Sequence, residues 1–471
     1  MTQPATSPPD LPETAPSSLA HHIRRTFSLA LPIIVARTAL IVMFTVDTIM
    51  TGWSGSDELA FLGLGIAPQL VLMLVAMGAL QSTVVLTAQA IGAGDGARTG
   101  AILRSSLMHA ALLGAIVCAL SLFAERFFLA TGQTPELAAG AARVTLHFAW
   151  GIPAVLLFMA TNFFLEATGH PRVGMWIMLA INAVNVLLNG FLALGWLGLA
   201  PPLGAVGAVI ASSTLRWAAF AVALVVVLRM ARRQGDPFGV VAAFTESGAF
   251  IASFNGVTGR RIRSIGIPMG IAQGVESAAF ATIVLMAGML GTAAVAAHQV
   301  TMSLLTFVFM MAIGTGGATA IRVGNAVGRG SAEDTRLAGW TGIGIGAILP
   351  IPFSILFLTA PNLAAQLFTD DPAVLAITQK TLFIAGLVLS FDATMGVVLG
   401  ALRGLGDVWM PMIMQSAAFW CFGIPSAYLL VFHAGFGPPG LFAALLIGIL
   451  VSLSLLLPRF HVITRDGIKR A

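Results

Sequence analysis

Charge is what this chain lacks most. Only 9% of its 471 residues are Asp, Glu, Lys or Arg, while 58% are hydrophobic. Soluble domains carry about 25% charged residues, so a water-soluble globule is excluded and a polytopic membrane protein is expected. Cysteine is nearly absent too. Cys118 and Cys421 lie far apart in apolar runs, and neither suggests a disulfide or a metal site. The eight histidines are scattered, and the one adjacent pair, His21–His22, falls in a polar leader. No Ser/His/Asp set, metal cluster or nucleotide loop stands out, which disfavours an enzyme. A continuous polar lining is missing as well, which argues against a channel.

What the chain does have is long apolar runs, with a mean hydropathy of +0.94. About 20 residues at roughly 1.5 Å rise cross the hydrocarbon of a bilayer. On that measure we read twelve spans, near 27–50, 59–83, 102–124, 142–164, 174–196, 204–229, 263–287, 293–319, 338–360, 378–401, 410–432 and 439–458. Residues 1–20 are rich in Pro, Ser and Thr, and a leader over 1–24 is expected to be disordered. No signal peptide is expected, because the flank His21–Arg25 leads into a full-length span without an A-x-A-like cleavage site. The longest connector, over 231–262, mixes Gly, polar and basic residues and is the natural seam between halves. Bundles over 25–230 and 263–460 and a tail over 461–471 follow.

The formal net charge of +5 and a pI near 10.2 raise nucleic acid as a partner. The placement of the basic residues argues otherwise. Arg24, Arg25, Arg98, Arg104, Arg172, Arg229, Arg232, Arg233, Arg260, Arg261 and Arg263 all fall on one side, with Arg329, Arg336, Arg403, Arg465, Lys469 and Arg470. The opposite connectors hold Arg126, Arg143 and Lys380 beside acids such as Asp57, Glu58, Asp370 and Asp371. The bias is a topology signal that puts both termini in the cytoplasm. Nucleic acid need not be invoked.

An internal repeat is the most informative feature. At a shift of about 236, Pro32 in LPIIVA meets Pro268 in IPMGIA. The turn Gln89-Ala-Ile-Gly-Ala-Gly-Asp95 meets Asn325-Ala-Val-Gly-Arg-Gly-Ser331, and Arg98–Gly100 then aligns with Asp334–Arg336. Near a shift of 235, the turn after the fourth span pairs Gly169 with Gly404. Such glycines permit tight turns and close approach of helix ends. Six spans per copy is even, so the copies share an orientation and are related by an axis along the membrane normal. The expected fold class is therefore an all-α polytopic membrane protein, with twelve transmembrane helices in two pseudo-symmetric six-helix bundles around a central cleft.

These residues carry a resemblance. The Pro-led first span ends in VDTIMTG, each half has its Q-A-I-G-A-G-D or N-A-V-G-R-G-S turn, AVAAHQ opens the eighth span, and LRGLGD follows the tenth. In order and spacing the chain resembles the multidrug and toxic compound extrusion (MATE) family, its NorM-like bacterial branch in particular, over nearly all of 25–460. The resemblance implies secondary antiport of organic, mostly cationic compounds outward, driven by inward Na⁺ or H⁺. It also implies a bacterial inner membrane, no cofactor other than the coupling ion, and action as a monomer.

Few acids lie within the spans: Asp47, Glu276, Asp392, and Glu166 near the end of the fourth. A carboxylate there costs a few kcal/mol on insertion scales, so each is a functional candidate. For Asp47 the alternative is an interfacial residue satisfied by water, disfavoured because Ile49, Met50 and Trp53 still follow. Glu276 (GIAQGVESAAFATI) and Asp392 (LVLSFDATMGVV) match positions where the family carries cation-binding acids, on neighbouring helices of the second bundle. They are expected to share a Na⁺ or a proton, since two acids cannot cheaply ionise alone in a dry site. A structural hydrogen bond is the lesser alternative for each.

In the first bundle Asp47 matches the family's acid of helix one. The fifth span reads INAVNVLLNG and places Asn185 and Asn189 four apart, on one helical face. Where the family has Asn followed by Asn or Asp, this chain has Asn189, so Asp47 would be the only carboxylate of that site. Asn182, three before Asn185, lies near the same face. Interhelical hydrogen bonding, about 0.6 kcal/mol per contact in membranes, is the competing account of the Asn set.

His298 and Gln299 match a family motif, and a polar brace is weighed equally with substrate contact. Arg37 and Arg216 are intramembrane cations whose partners the sequence leaves open. The twenty Met suit an adaptable ligand surface, though for most of them a lipid-facing place is the stronger reading. Trp53 and Trp196 outside, with Trp340 and Trp409 inside, sit where interfacial anchors belong. Pro32 and Pro268 are taken to begin their helices. A lipid-linked precursor flippase is the rival function, but its cavity should be strongly cationic, whereas these spans are richer in acids.

Overall fold

The computed structural model describes residues 19–198, 201–245, 254–369 and 371–466. The leader up to residue 18, linker positions 246–253, Asp370, Lys469 and Arg470 lie outside the described residues. Among the described residues there are no strands, and twelve helices are long and apolar enough to cross a membrane. In chain order they are α1 (Leu19–Ser54), α2 (Ser56–Gly92), α3 (Gly96–Ser121), α4 (Pro135–Ala167), α5 (Pro171–Leu192) and α6 (Gly204–Arg233). Then come α7 (Val257–Gly288), α8 (Thr292–Arg329), α9 (Ala332–Thr359), α10 (Pro372–Gly404), α11 (Trp409–His433) and α12 (Pro438–Arg465).

Several ends run past the apolar spans. Polar turns outside the hydrocarbon stay helical where tertiary packing holds them. The α1 helix takes in Leu19–Arg24, expected to be disordered, because His22 and Thr26 are buried against Arg322 of α8. The α8 helix continues ten residues beyond its expected end for the same contact. Pro32 and Pro268 therefore lie well inside their helices rather than in a first turn, where each removes one backbone hydrogen bond and favours a bend. Part of the expected linker is also ordered: Val240–Thr245 is a short helix whose start is held by Asp236, which accepts from the amides of Val240 at 2.7 Å and Ala242 at 3.0 Å.

The helices form two lobes, α1–α6 and α7–α12, each with its own apolar core. In the first lobe α4 is the hub, packed on α2, α3 and α6; in the second α10 packs on α8, α9 and α12. These are corresponding helices of the repeat. The seam obeys the same symmetry, since α1 lies against α8 and α2 against α7. Contacts across it gather on the face that holds the described ends of the chain. Ile33 and Ile34 meet Gly314 and Gly317, Val75 and Ala79 meet Gly270, and Ala88 meets Gly324. Gln89 donates to the Gly404 carbonyl at 3.0 Å, Arg403 to Gln81 at 2.9 Å, and Arg322 to Thr26 at 2.7 Å.

The repeated turns explain themselves at this seam. Their last glycines, Gly94 and Gly330, both have φ near +76° (76° and 75°), a conformation that glycine alone adopts freely. Their earlier glycines, Gly92 and Gly328, are where the lobes cross. A methyl on Gly92 would strike the Asn325 carbonyl, and one on Gly328 the Gln89 carbonyl. The turn after α4 pairs differently from the sequence alignment. Gly406, not Gly404, has the positive φ that matches Gly169 (81° and 84°), while Gly404 packs against Ala320.

Candidate functional site

Asp47 sits in α1 two turns before its end and is 5% exposed. Its Oδ1 accepts from Asn189 Nδ2 at 2.7 Å and Asn185 Nδ2 at 3.1 Å, and its Oδ2 accepts from the Ser212 hydroxyl of α6. The i, i+4 spacing of the asparagines thus brings both amides to one carboxylate, as a shared helical face requires. All three neighbours donate, so a negative charge is solvated here by fixed neutral groups instead of water. Arg216, one turn along α6 from Ser212, stands close enough for its charge to act on Asp47. Asn182 does not join the set. It donates to the Ala39 carbonyl at 2.9 Å and ties α5 to α1, since a residue three before Asn185 is turned away from Asp47 toward the α1 backbone.

The second lobe is arranged otherwise. Glu276 in α7 and Asp392 in α10 are both half-buried; Asp392 meets no hydrogen-bond donor among the described residues, and Glu276 faces one, the Gln415 amide of α11. Their helices are not a packed pair, contrary to the expectation of neighbours, because α10 is occupied by α8, α9 and α12. The charge of Glu276 reaches Asp392 across the lobe interior. The Nε2 of Gln415 is buried and has no other hydrogen-bond partner, and the Arg403 guanidinium acts on the Glu276 carboxylate. This is a site with acceptors to spare. It has the oxygen ligands that a proton or a hard monovalent cation takes.

Elsewhere, Glu166 and Arg37 answer one another. Arg37 Nη2 reaches the Glu166 oxygens at 3.0 and 3.3 Å, its Nη1 reaches Met159 Sδ at 2.9 Å, and Asn162 Nδ2 donates to Glu166 at 2.6 Å. His298 is buried against Phe442 of α12, with ring centroids 5.2 Å apart and neither nitrogen hydrogen-bonded. Gln299 is exposed. Among the described residues no group of three or more His, Cys, Asp or Glu gathers as for a metal ion.

Ser212, Gln415 and Gln81 are site or seam residues that the sequence reading did not single out, and Arg403 entered it only as part of the basic excess on one side. Ser212 had one signal, the polar run Ser212-Ser213-Thr214 in an apolar span; Gln415 is a lone amide in WMPMIMQSAAFW.

The MatE family profile matches twice, over residues 32–191 and 268–429, so its two copies begin at the prolines 236 residues apart. The chain is 33% identical over 458 residues to the multidrug resistance protein NorM of Burkholderia vietnamiensis, covering 96% of each. It is 30% identical over 451 residues, 95% of each, to a probable multidrug resistance protein NorM of Bradyrhizobium diazoefficiens. Its fold superposes on the crystal structure of the eukaryotic MATE transporter AtDTX14 with a TM-score of 0.83 at 21% identity, covering 94% of this chain and 96% of that one.

Proposed function

The chain belongs to the MatE family and is a multidrug efflux transporter of a bacterial membrane, not an enzyme; from that premise we propose that it is a cation-coupled antiporter for amphiphilic, mostly cationic compounds. The coupling acids in this reading are Glu276 and Asp392, with Asp47 as the acid of the first lobe and Asn185 and Asn189 as its fixed partners. One observation carries it. The lobes touch along the face of the termini, while three intramembrane acids lie beyond the sealed part of the seam.

That arrangement suits a state closed to the cytoplasm and open outward. In it, Na⁺ or H⁺ from outside neutralises the acids. A compound that entered from the cytoplasm is released as the cation takes its place, because two positive charges compete for the same carboxylates. Reversal of the seam then carries the ion inward. One charge crossing about 100 mV is worth about 2.3 kcal/mol, or roughly fifty-fold in accumulation. The excess of Lys and Arg on the termini face supports the cytoplasmic assignment and an inner-membrane location.

The test is transport by the purified protein in vesicles loaded with a fluorescent cationic dye, with Na⁺ and pH gradients imposed separately. We expect one of the two gradients to drive dye against its own gradient, and Glu276→Gln with Asp392→Asn to abolish that drive. Wild-type rates in the double variant would overturn the coupling assignment.

A further inference from the structure

Arg216 is a buried cation for which the site as described has no use. It stands four residues past Ser212 and so shares its face of α6. Helical side chains lean toward the N-terminal end of their helix, which sends this one back over the Ser212 turn toward Asp47. Its guanidinium lies 4.3 Å from the ring centroid of Phe148 and 5.3 Å from that of Phe44, and Phe44 precedes Asp47 by one turn of α1. Yet Nε, Nη1 and Nη2 find no acceptor among the described residues, and the residue is only 3% exposed.

The space beside it explains nothing away. A cavity of about 10 Å³ adjoins the guanidinium, walled by apolar side chains such as Leu40, Met43, Phe158 and Met178. That is room for about one water, with no second polar wall to hold it. A dry guanidinium with five unused donors is costly to keep. Other charges near α6 are already committed: Arg37 to Glu166, and Glu58 to the Ala205 amide at the start of α6. His147 turns its Nδ1 to the Arg143 carbonyl. Asp47, one turn of α1 past Phe44 and bonded to Ser212 one turn before Arg216, is the acid on this side, and here its oxygens are taken by neutral donors.

We infer that Arg216 is the resident counter-cation of Asp47. The guanidinium moves onto the carboxylate when the coupling cation leaves, and is stowed on Phe44 and Phe148 when that cation returns. The inference rests on Asp47 being a coupling acid. It gives the acid two alternating cationic partners, one tethered and one mobile, beside its three fixed neutral donors.

The test uses the full-length protein in proteoliposomes, with proton and Na⁺ gradients titrated separately. Arg216→Gln removes the competitor, and a unit charge a few ångströms away in a protein interior is worth about tenfold or more in cation binding. The external proton concentration for half-maximal transport is therefore expected to fall about tenfold. Arg216→Lys should stay near wild type. In an Asp47→Asn background, Arg216→Gln should shift nothing further. An unchanged half-saturation, or an equal shift in that background, would overturn the inference. If Asp47→Asn alone leaves coupling untouched, the reading of Asp47 fails instead, and the two failures are told apart. Should Arg216→Gln not fold, Phe148→Leu keeps the arginine but removes its resting ring. It must move half-saturation the opposite way, and no movement sinks the idea.

Discussion

The two lobes share a fold and a helix order, yet they keep their acids in opposite ways. In the first, Asp47 is closed off, with three donors on its two oxygens and a cation at hand. In the second, Glu276 and Asp392 are half-buried, with the Gln415 amide facing the one and no hydrogen-bond donor on the other among the described residues. A carboxylate in oil must be neutralised or solvated by something. One lobe supplies that something in full from its own chain, and the other only in part, which in the proposed mechanism leaves room for a mobile partner. Duplication therefore preserved the scaffold while the two sites diverged in how they meet the same cost.

The largest effect should come from the open site. Glu276→Gln or Asp392→Asn should each remove most uphill transport, losing the roughly fifty-fold that one ion contributes at about 100 mV. Asp47→Asn should leave a measurable part of it. Accumulation ratios in gradient-loaded vesicles decide this, and the reverse ranking would invert the comparison.

Next come the glycines that let the lobes meet. Gly92→Ala and Gly328→Ala each drive a methyl into a backbone carbonyl of the other lobe. Overpacking of this kind costs about 1–3 kcal/mol, enough to shift a two-state equilibrium about 5- to 150-fold toward the state open on the termini face. A cysteine at Ala326, fully buried here, should then become reactive to a membrane-impermeant thiol reagent from that face. Continued protection would show that the seam tolerates the methyl.

A stability contrast follows from Arg37 and Glu166, a pair internal to the first lobe at 9% and 3% side-chain exposure. Arg37→Met strands a buried carboxylate and should cost about 3–5 kcal/mol. Arg37→Met with Glu166→Leu should recover most of that loss. Thermal unfolding in detergent measures both, and an equally unstable double variant would mean that the pair does more than cancel charge.

Much of this architecture was legible beforehand, because bilayer thickness turns apolar length directly into helix count. The repeat was legible too, since glycines demanded by positive φ and by helix crossing recur at Gly94 and Gly330 and at Gly92 and Gly328. The shared face of Asn185 and Asn189 followed from helical spacing, whereas Asp47 stood out by its cost in an apolar span and by the family resemblance. What could not be read were partners set by tertiary packing. Arg37 and Glu166 are 129 residues apart, and only the packing of the lobe puts them together. Ser212 is one hydroxyl among many in apolar spans, where serine ordinarily bonds its own helix. Helix ends were missed because the extra turns of α1 and α8 are stabilised by each other and not by lipid.

The smallest effect tests the closed site most sharply. Ser212→Ala removes one of three donors to Asp47. Hydrogen bonds between membrane helices average about 0.6 kcal/mol and reach about 1.7 at most, so the loss of thermal stability should be slight. If the first lobe truly solvates its acid with redundant donors, Asn185 and Asn189 still hold Oδ1, and coupling should persist with its ion dependence shifted less than about threefold. A complete loss of coupling in Ser212→Ala would instead mean that Asp47 depends on a full set of partners as strictly as an ion site does, and the two lobes would be alike in mechanism as well as in fold.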